Sequence, residues 1–242
     1  MKKSLYIITG CSKGLGRALT ELLTEKKENF VVGVSRSTLD QKENFLPVSL
    51  DLGDIPAVTD NLKKIFPAGE FQRIVLINNA AWIGEIAPLG NLDANGIQGI
   101  YNLNIISPAI LLNEFVKQYK NKEAEKIVVN ISSGAASKAI DGWSGYCSTK
   151  AALNQLSLVA EEESKLKNYG IKYYSLSPGI FDTEMQDKIR SSSVENFSRA
   201  EIFRSYKNNG ELSAPDDVAG KIWWLIENRD GYNEVLVDVR DF

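Results

Sequence analysis

Along the chain, short apolar runs alternate with longer stretches in which apolar residues recur every three or four positions. The short runs cover residues 5–9, 30–35, 46–50, 74–77, 127–131, 171–176 and 235–239, and their mostly unbroken apolar character predicts strands buried on both faces. Between the first two, Leu15, Ala18, Leu19, Leu22 and Leu23 share one stripe of a helix. The same period predicts a helix over 55–65 and a long one over 97–119, with Ile100, Leu103, Ile110, Leu111 and Phe115 facing inward. Another runs over about 144–168 with Gly170 as its stop, and Val218, Ile222, Leu225 and Ile226 mark a last one. Such alternation predicts an α/β architecture, a parallel sheet doubly wound by helices on both faces.

No linker, repeat or low-complexity segment divides the chain, so one domain is expected over 1–242. One stretch breaks the rhythm. Residues 184–215 are polar, with Ser191-Ser192-Ser193 and Asn208-Asn209-Gly210, and they follow the carboxyl end of the strand at 171–176. Ligands of doubly wound folds bind beyond such ends, so the insertion reads either as a lid over a substrate or as a plain surface excursion.

Composition narrows the possible chemistry. With 242 residues, 43% of them hydrophobic and 24% charged, the chain can build a sizeable core. A net charge of −3 offers no basic excess for nucleic acid, and no segment nears the roughly 18 apolar residues of a membrane span. The basic start, Lys2-Lys3, leads into an apolar run too short for a signal peptide, and that run ends in Thr9-Gly10 as a buried strand would. Cys11 and Cys147 cannot build a disulfide framework or a four-thiolate metal site, which suits a cytoplasmic protein without a metal. There is no histidine at all. That removes Ser-His-Asp and Cys-His nucleophiles, His metal ligands and the commonest proton shuttle at neutral pH. An enzyme built from this chain moves protons by another group.

The first strand runs into Thr9-Gly10-Cys11-Ser12-Lys13-Gly14-Leu15-Gly16, which opens a helix. Glycines there let the backbone turn tightly and approach a pyrophosphate, and the helix N-terminus supplies free N–H groups. The cluster could be only a strand-to-helix turn, but strand, turn and helix in that order favour a dinucleotide. The second strand ends Val34-Ser35-Arg36-Ser37, with no acid for a ribose 2′-hydroxyl and one guanidinium for a 2′-phosphate. Arg36 alone could be a solvated surface residue; Lys13 in the neighbouring loop tilts the reading to NADP. Further on, Tyr146 and Lys150 share a helix face four residues apart. A phenol titrates near about 10, and an adjacent ammonium lowers that value towards the working pH. With no imidazole to activate it, Cys147 reads as a small packing residue.

Taken together these residues resemble the short-chain dehydrogenase/reductase family, over essentially the whole chain. Its Thr-Gly-x-x-x-Gly-x-Gly loop matches Thr9–Gly16, its adenine-side Asp matches Asp51 followed by Leu52, and its Asn-Asn-Ala-Gly turn matches residues 78–81 as Asn78, Asn79, Ala80 and Ala81. The final Ala81 departs from the usual Gly, for which a small local shift is expected. The resemblance implies a Rossmann-type fold and an NADPH cofactor held by Gly10, Ser12, Lys13, Gly14, Leu15, Gly16, Arg36, Asp51, Leu52, Asn79, Ala80, Tyr146, Lys150, Pro178, Gly179, Ile180 and Thr183. It implies the catalytic set Asn104, Ser133, Tyr146 and Lys150: Tyr146 donates a proton, Ser133 holds the carbonyl, and Lys150 lowers the Tyr146 pKa and grips the nicotinamide ribose. Asn104 would link Lys150 to solvent through a water; read from its own surroundings it could simply be a satisfied helix-interior Asn.

Narrower likenesses lie in the runs at 130–135, 142–147 and 181–192, which are similar to sepiapterin reductases and to bacterial reductases of aromatic 1,2-diketones such as benzil. They imply a small-molecule carbonyl substrate, with Ser133, Trp143, Tyr146 and Met185 around it and Asp238 as a pterin anchor. Asp238 could equally be a surface carboxylate, and Met185, Phe197, Ile202 and Phe203 could be the insertion's own packing. Rival readings are a reductase of 3-oxoacyl, sugar or steroid carbonyls, and a non-catalytic NADP-binding sensor. A homodimer or homotetramer is expected, paired through the long helices.

Overall fold

In the computed structural model, which describes residues 2–242, the strands assemble as β1 (Ser4–Thr9), β2 (Asn29–Ser35), β3 (Phe45–Ser49), β4 (Arg73–Asn78), β5 (Glu125–Ile131), β6 (Ile171–Ser177) and β7 (Leu236–Asp238). They form one sheet in the order β3-β2-β1-β4-β5-β6-β7, each neighbouring pair parallel. The Rossmann-type arrangement expected from the sequence is present, and most strand limits fall within a residue or two of the apolar runs. Successive strand residues feed opposite layers. Tyr6, Ile8, Val75, Ile77 and Val129 pack towards α1 (Gly14–Thr24) and α8 (Pro215–Glu227). Leu5, Ile7, Ile74, Leu76 and Val128 pack towards α2 (Ile55–Ile65) and α4 (Ser107–Tyr119). Residues in both sets are fully buried, which is why the runs are unbroken rather than alternating. Strand order reverses between β1 and β4, and the crevice beyond their carboxyl ends is where a doubly wound fold takes its ligand.

Three elements differ from the reading of the sequence. The helix expected over 97–119 is two, α3 (Ala94–Tyr101) and α4, joined by a π turn over Asn102–Ile106. Pro108 explains the break: it has no N–H for the Asn104 carbonyl four residues earlier, so the α-helical ladder cannot run through. The helix α5 (Ser144–Lys167) stops at Asn168, which takes the left-handed conformation at φ 55°, ahead of Gly170. The polar stretch after β6 folds into α6 (Glu184–Arg190) and α7 (Ala200–Asn208), with Phe197 and Ala200 fully buried beneath them. Its two ends are stitched together: the Ser213 N–H donates to the Ile180 carbonyl and the Asp182 N–H to the Ser213 carbonyl.

Candidate active site

The glycine loop is built for close backbone approach. A side chain at Gly16 would place its Cβ 2.1 Å from the Gly10 carbonyl oxygen, and Gly10 itself is left-handed at φ 71° against Asn79 and Ala80. Thr9 and Asn79 hold the loop in place. The Thr9 hydroxyl oxygen accepts from the Asn79 and Ala80 N–H groups at 2.9 and 3.0 Å, and Asn79 Nδ2 donates to the Thr9 and Gly10 carbonyls. Lys13 begins α1 without a side-chain cap and no acid lies in the first turn, so the first-turn N–H groups keep their positive potential for an anion. Leu15 is buried under the loop while Ser12 stays partly open. This cradle fits a dinucleotide pyrophosphate. Ala81, in place of the usual Gly, keeps an ordinary backbone, since among the described residues only Asn168 is a non-glycine with positive φ.

Arg36 is exposed just beyond the end of β2. Lys13, expected to serve with it, is engaged by Glu184 at 2.8 and 3.0 Å, 171 residues away in sequence. Nothing in the composition pointed to that partner. Thr183 lies against the loop too, its Cγ2 3.2 Å from where a Gly14 side chain would begin. Pro178 is buried, and Gly179 at φ 73° turns the chain towards exposed Ile180. Asp51 Oδ1 accepts from the Gly53 N–H at 2.8 Å, and the Leu52 carbonyl accepts the Ser107 hydroxyl at 2.6 Å.

On the other side of the crevice, β5 ends at Ile131 and α5 carries Tyr146 and Lys150 towards it. Lys150 is 2% exposed and its Nζ donates to the Ile131 carbonyl at 2.7 Å. The Tyr146 phenol faces the Ser133 hydroxyl, and Lys150 Nζ lies 5.7 Å from the Tyr146 ring centre. Burial dominates both ionisations. It pushes Tyr146 up to about 12, against a smaller lowering by the Ser133 hydrogen bond, and pulls Lys150 down to about 8. Burial is the largest influence on the Tyr146 phenol, and it acts in the direction opposite to the lowering expected from Lys150. Asn104 sits in the π turn, its Oδ1 accepting from the Trp82 N–H at 2.9 Å and its Nδ2 donating to the Trp82 carbonyl at 2.8 Å and to Thr149 Oγ1 at 3.2 Å. Its side chain is therefore occupied by neighbours. Trp82 and Thr149 went unnoticed in the sequence; the signal for the turn that presents Asn104 was Pro108.

The residues expected around the substrate divide into two groups. Trp143 stacks on Phe197 (ring centres 5.1 Å apart, 16° between planes), meets Tyr146 edge-on at 5.7 Å, and is joined by Phe203 and partly buried Met185. Asp238, at the end of β7, is paired with Arg240, which donates from its backbone N–H, Nε and Nη2 at 3.0, 2.8 and 2.6 Å. That arrangement holds the Asp238 carboxyl below the usual carboxylate range.

A short chain dehydrogenase family model matches residues 4–193. The chain belongs to the short-chain dehydrogenase family. As a member it is an oxidoreductase of a family that works with nicotinamide dinucleotides. It is 35% identical to a benzil reductase, (S)-benzoin forming, of Bacillus subtilis, with 98% of this chain and 99% of that one covered. It is 31% identical to the sepiapterin reductase of Mus musculus, covering 98% and 97%. A short-chain dehydrogenase/reductase structure from Saccharomyces cerevisiae superposes with a TM-score of 0.83 at 24% identity, covering 98% and 96%, a likeness of fold. Among the described residues no helix is long and apolar enough to cross a membrane.

Proposed function

We propose that the protein reduces an aromatic 1,2-diketone of the benzil type with NADPH, the carbonyl being drawn to Ser133 and protonated by Tyr146. The observation that carries this reading is the meeting of the Ser133 hydroxyl and the Tyr146 phenol beside buried Lys150. A proton donor has to be protonated at the working pH, and a phenol raised by burial is so throughout the neutral range. Lys150, 5.7 Å from the ring, stabilises the phenolate left after donation. When bound, NADPH supplies the hydride. Gly10, Gly14, Gly16 and the open first turn of α1 would hold its pyrophosphate, Arg36 its 2′-phosphate, and Thr183 would close over the loop.

Benzil is favoured over a pterin because Arg240 already occupies the Asp238 carboxylate that would anchor a pterin ring. The aromatic cluster of Trp143, Phe197 and Phe203, packed on one another beside Tyr146, makes the surroundings of the phenol apolar and aromatic, which suits a phenyl ring. The insertion over about 184–215 acts as the lid. Exposed Ile97 and Tyr101 on α3 and Leu158, Val159 and Leu166 on α5 suit pairing into a homodimer or homotetramer, in a cytoplasmic setting that keeps Cys11 and Cys147 reduced.

The test is NADPH oxidation with benzil, sepiapterin, a 3-oxoacyl thioester and a sugar ketone, read at the nicotinamide absorbance. Benzil is expected to give the highest kcat/KM. Tyr146→Phe is expected to lose at least about 1000-fold in kcat with NADPH binding near normal. Retained turnover in that variant defeats the mechanism, and tight NADPH binding without oxidation by any carbonyl points to a sensor.

A further inference from the structure

Along α5, Tyr146, Lys150, Asn154 and Ser157 lie on one stripe, at spacings of four, four and three residues. The last three each meet the end of a central strand. Lys150 donates to the Ile131 carbonyl at 2.7 Å, and Ser157 Oγ accepts from Asn130 Nδ2 at 2.8 Å. Asn154 Oδ1 accepts two hydroxyls, Ser132 from just beyond β5 at 2.6 Å and Ser175 from β6 at 2.7 Å. Both serines are buried, 3% exposed each, and Ser175 pairs in register with Asn130 across the sheet. One amide oxygen therefore ties two adjacent strands to the helix, one turn beyond Lys150 and one residue before Ser133.

We propose that Asn154 is a positioning residue for the Ser133, Tyr146 and Lys150 set. By holding Ser132 and Ser175 it fixes the slide and rotation of α5 against β5 and β6, so that Lys150 reaches Ile131 and Tyr146 meets Ser133. Leu153, Leu156 and Ala160 give α5 apolar contact with the core, and two hydroxyls converging on one acceptor add a directional tie at the turn next to Lys150. A misplacement of about 1 Å in such a set costs on the order of 100-fold in rate. The inference rests on the proposed carbonyl reduction only through the readout of turnover.

Asn154→Ala is compared with Ser164→Ala, which removes a buried hydroxyl bonded to Ile171 at the far end of the same helix. Asn154→Ala is expected to lower kcat about 30-fold, with KM for the carbonyl within about twofold. It is also expected to move the alkaline fall in activity up by about half a pH unit or more, as Lys150 gains water and returns towards the ordinary lysine range. Near Lys150 stand the Tyr146 phenol and, beside it, the Cys147 thiol, both pushed up by burial. Ser164→Ala is expected to lower the melting temperature comparably and to leave kcat and the pH profile in place. Ser132→Ala, which keeps the Ser175 bond, folds with the smaller loss and is expected to cost about threefold in kcat.

A crystal structure of Asn154→Ala needs no substrate, and a Lys150–Ile131 contact lengthened beyond hydrogen-bond reach is the expected result. Wild-type kcat and an unmoved pH profile in a less stable Asn154→Ala overturn the proposal, as does an unchanged Lys150–Ile131 contact. If Asn154→Ala does not fold, unchanged kcat in Ser132→Ala does the same. Failure of the carbonyl reading alone would appear as turnover in Tyr146→Phe with the Asn154 structural result intact.

Discussion

The two sides of the crevice are held by different forces. On the sheet side, the glycine loop and the α5 stripe are fixed by buried contacts with little freedom: a carbonyl 2.1 Å from the Gly16 Cβ position, and Lys150 bonded to Ile131 at 2% exposure. On the covering side, α6 and the segment after it also make polar links nearer the surface. Glu184 pairs with Lys13, Lys188 donates to the Gly84 carbonyl at 2.9 Å, and Ser198 donates to Asp141. Exposed ion pairs contribute roughly 0.2–1 kcal/mol each, so the firmer hold on the covering side is the buried apolar contact of Ile189, Phe197 and Ala200 with Trp143. On the proposed reading, bond-making chemistry falls on the sheet side and selection of substrate on the covering insertion.

The sharpest way to break this contrast is Gly16→Ala. The added methyl cannot fit without backbone movement, and NADPH affinity is expected to fall at least about 100-fold in a fluorescence titration. Gly220→Ala in α8, where nothing lies within 4 Å, is the matched control and is expected to leave affinity unchanged. Next comes pH. Because burial lowers Lys150 to about 8, its charge is present below that value and lost above it, so kcat/KM is expected to hold from about pH 6 to 7.5 and then to fall up to tenfold per unit. With no histidine in the chain, a fall centred near 6.5 would assign the proton to the substrate or cofactor.

Phe197→Ala probes the covering side. Its ring is fully buried against Trp143, and truncation is expected to raise KM for an aromatic diketone about tenfold while kcat changes less than threefold. A collapse of kcat instead would show that the insertion also sets the Tyr146 position. The smallest effect is expected from Glu184→Gln: loss of one exposed ion pair changes NADPH affinity and melting temperature little, by less than about threefold and about 2 °C.

Much of this could be read from residue order, because alternation and glycine spacing are local signals. The strands, the 55–65 helix and the convergence of Thr9–Gly16 with Tyr146 and Lys150 depend on neighbours in sequence or on one shared sheet end. What escaped was set by tertiary contact. Glu184 meets Lys13 across 171 residues, and Asn104 turns to Trp82 because Pro108 interrupts its helix. Arg240 covers Asp238 through a local 3-10 turn that the apolar pattern does not encode. The upward push on the Tyr146 phenol was not legible because burial, its largest cause, is invisible in the i, i+4 spacing.

One feature of α1 reaches beyond catalysis. Its N-terminus has no capping side chain, so the first-turn N–H groups are left to water or to an anionic ligand such as a phosphate. A ligand at 100 times its Kd adds about 2.7 kcal/mol to the folded state, a large share of the stability of an ordinary domain. If the proposed dinucleotide binds there, its supply is expected to set how long the chain survives a protease, which limited proteolysis with and without NADPH would read.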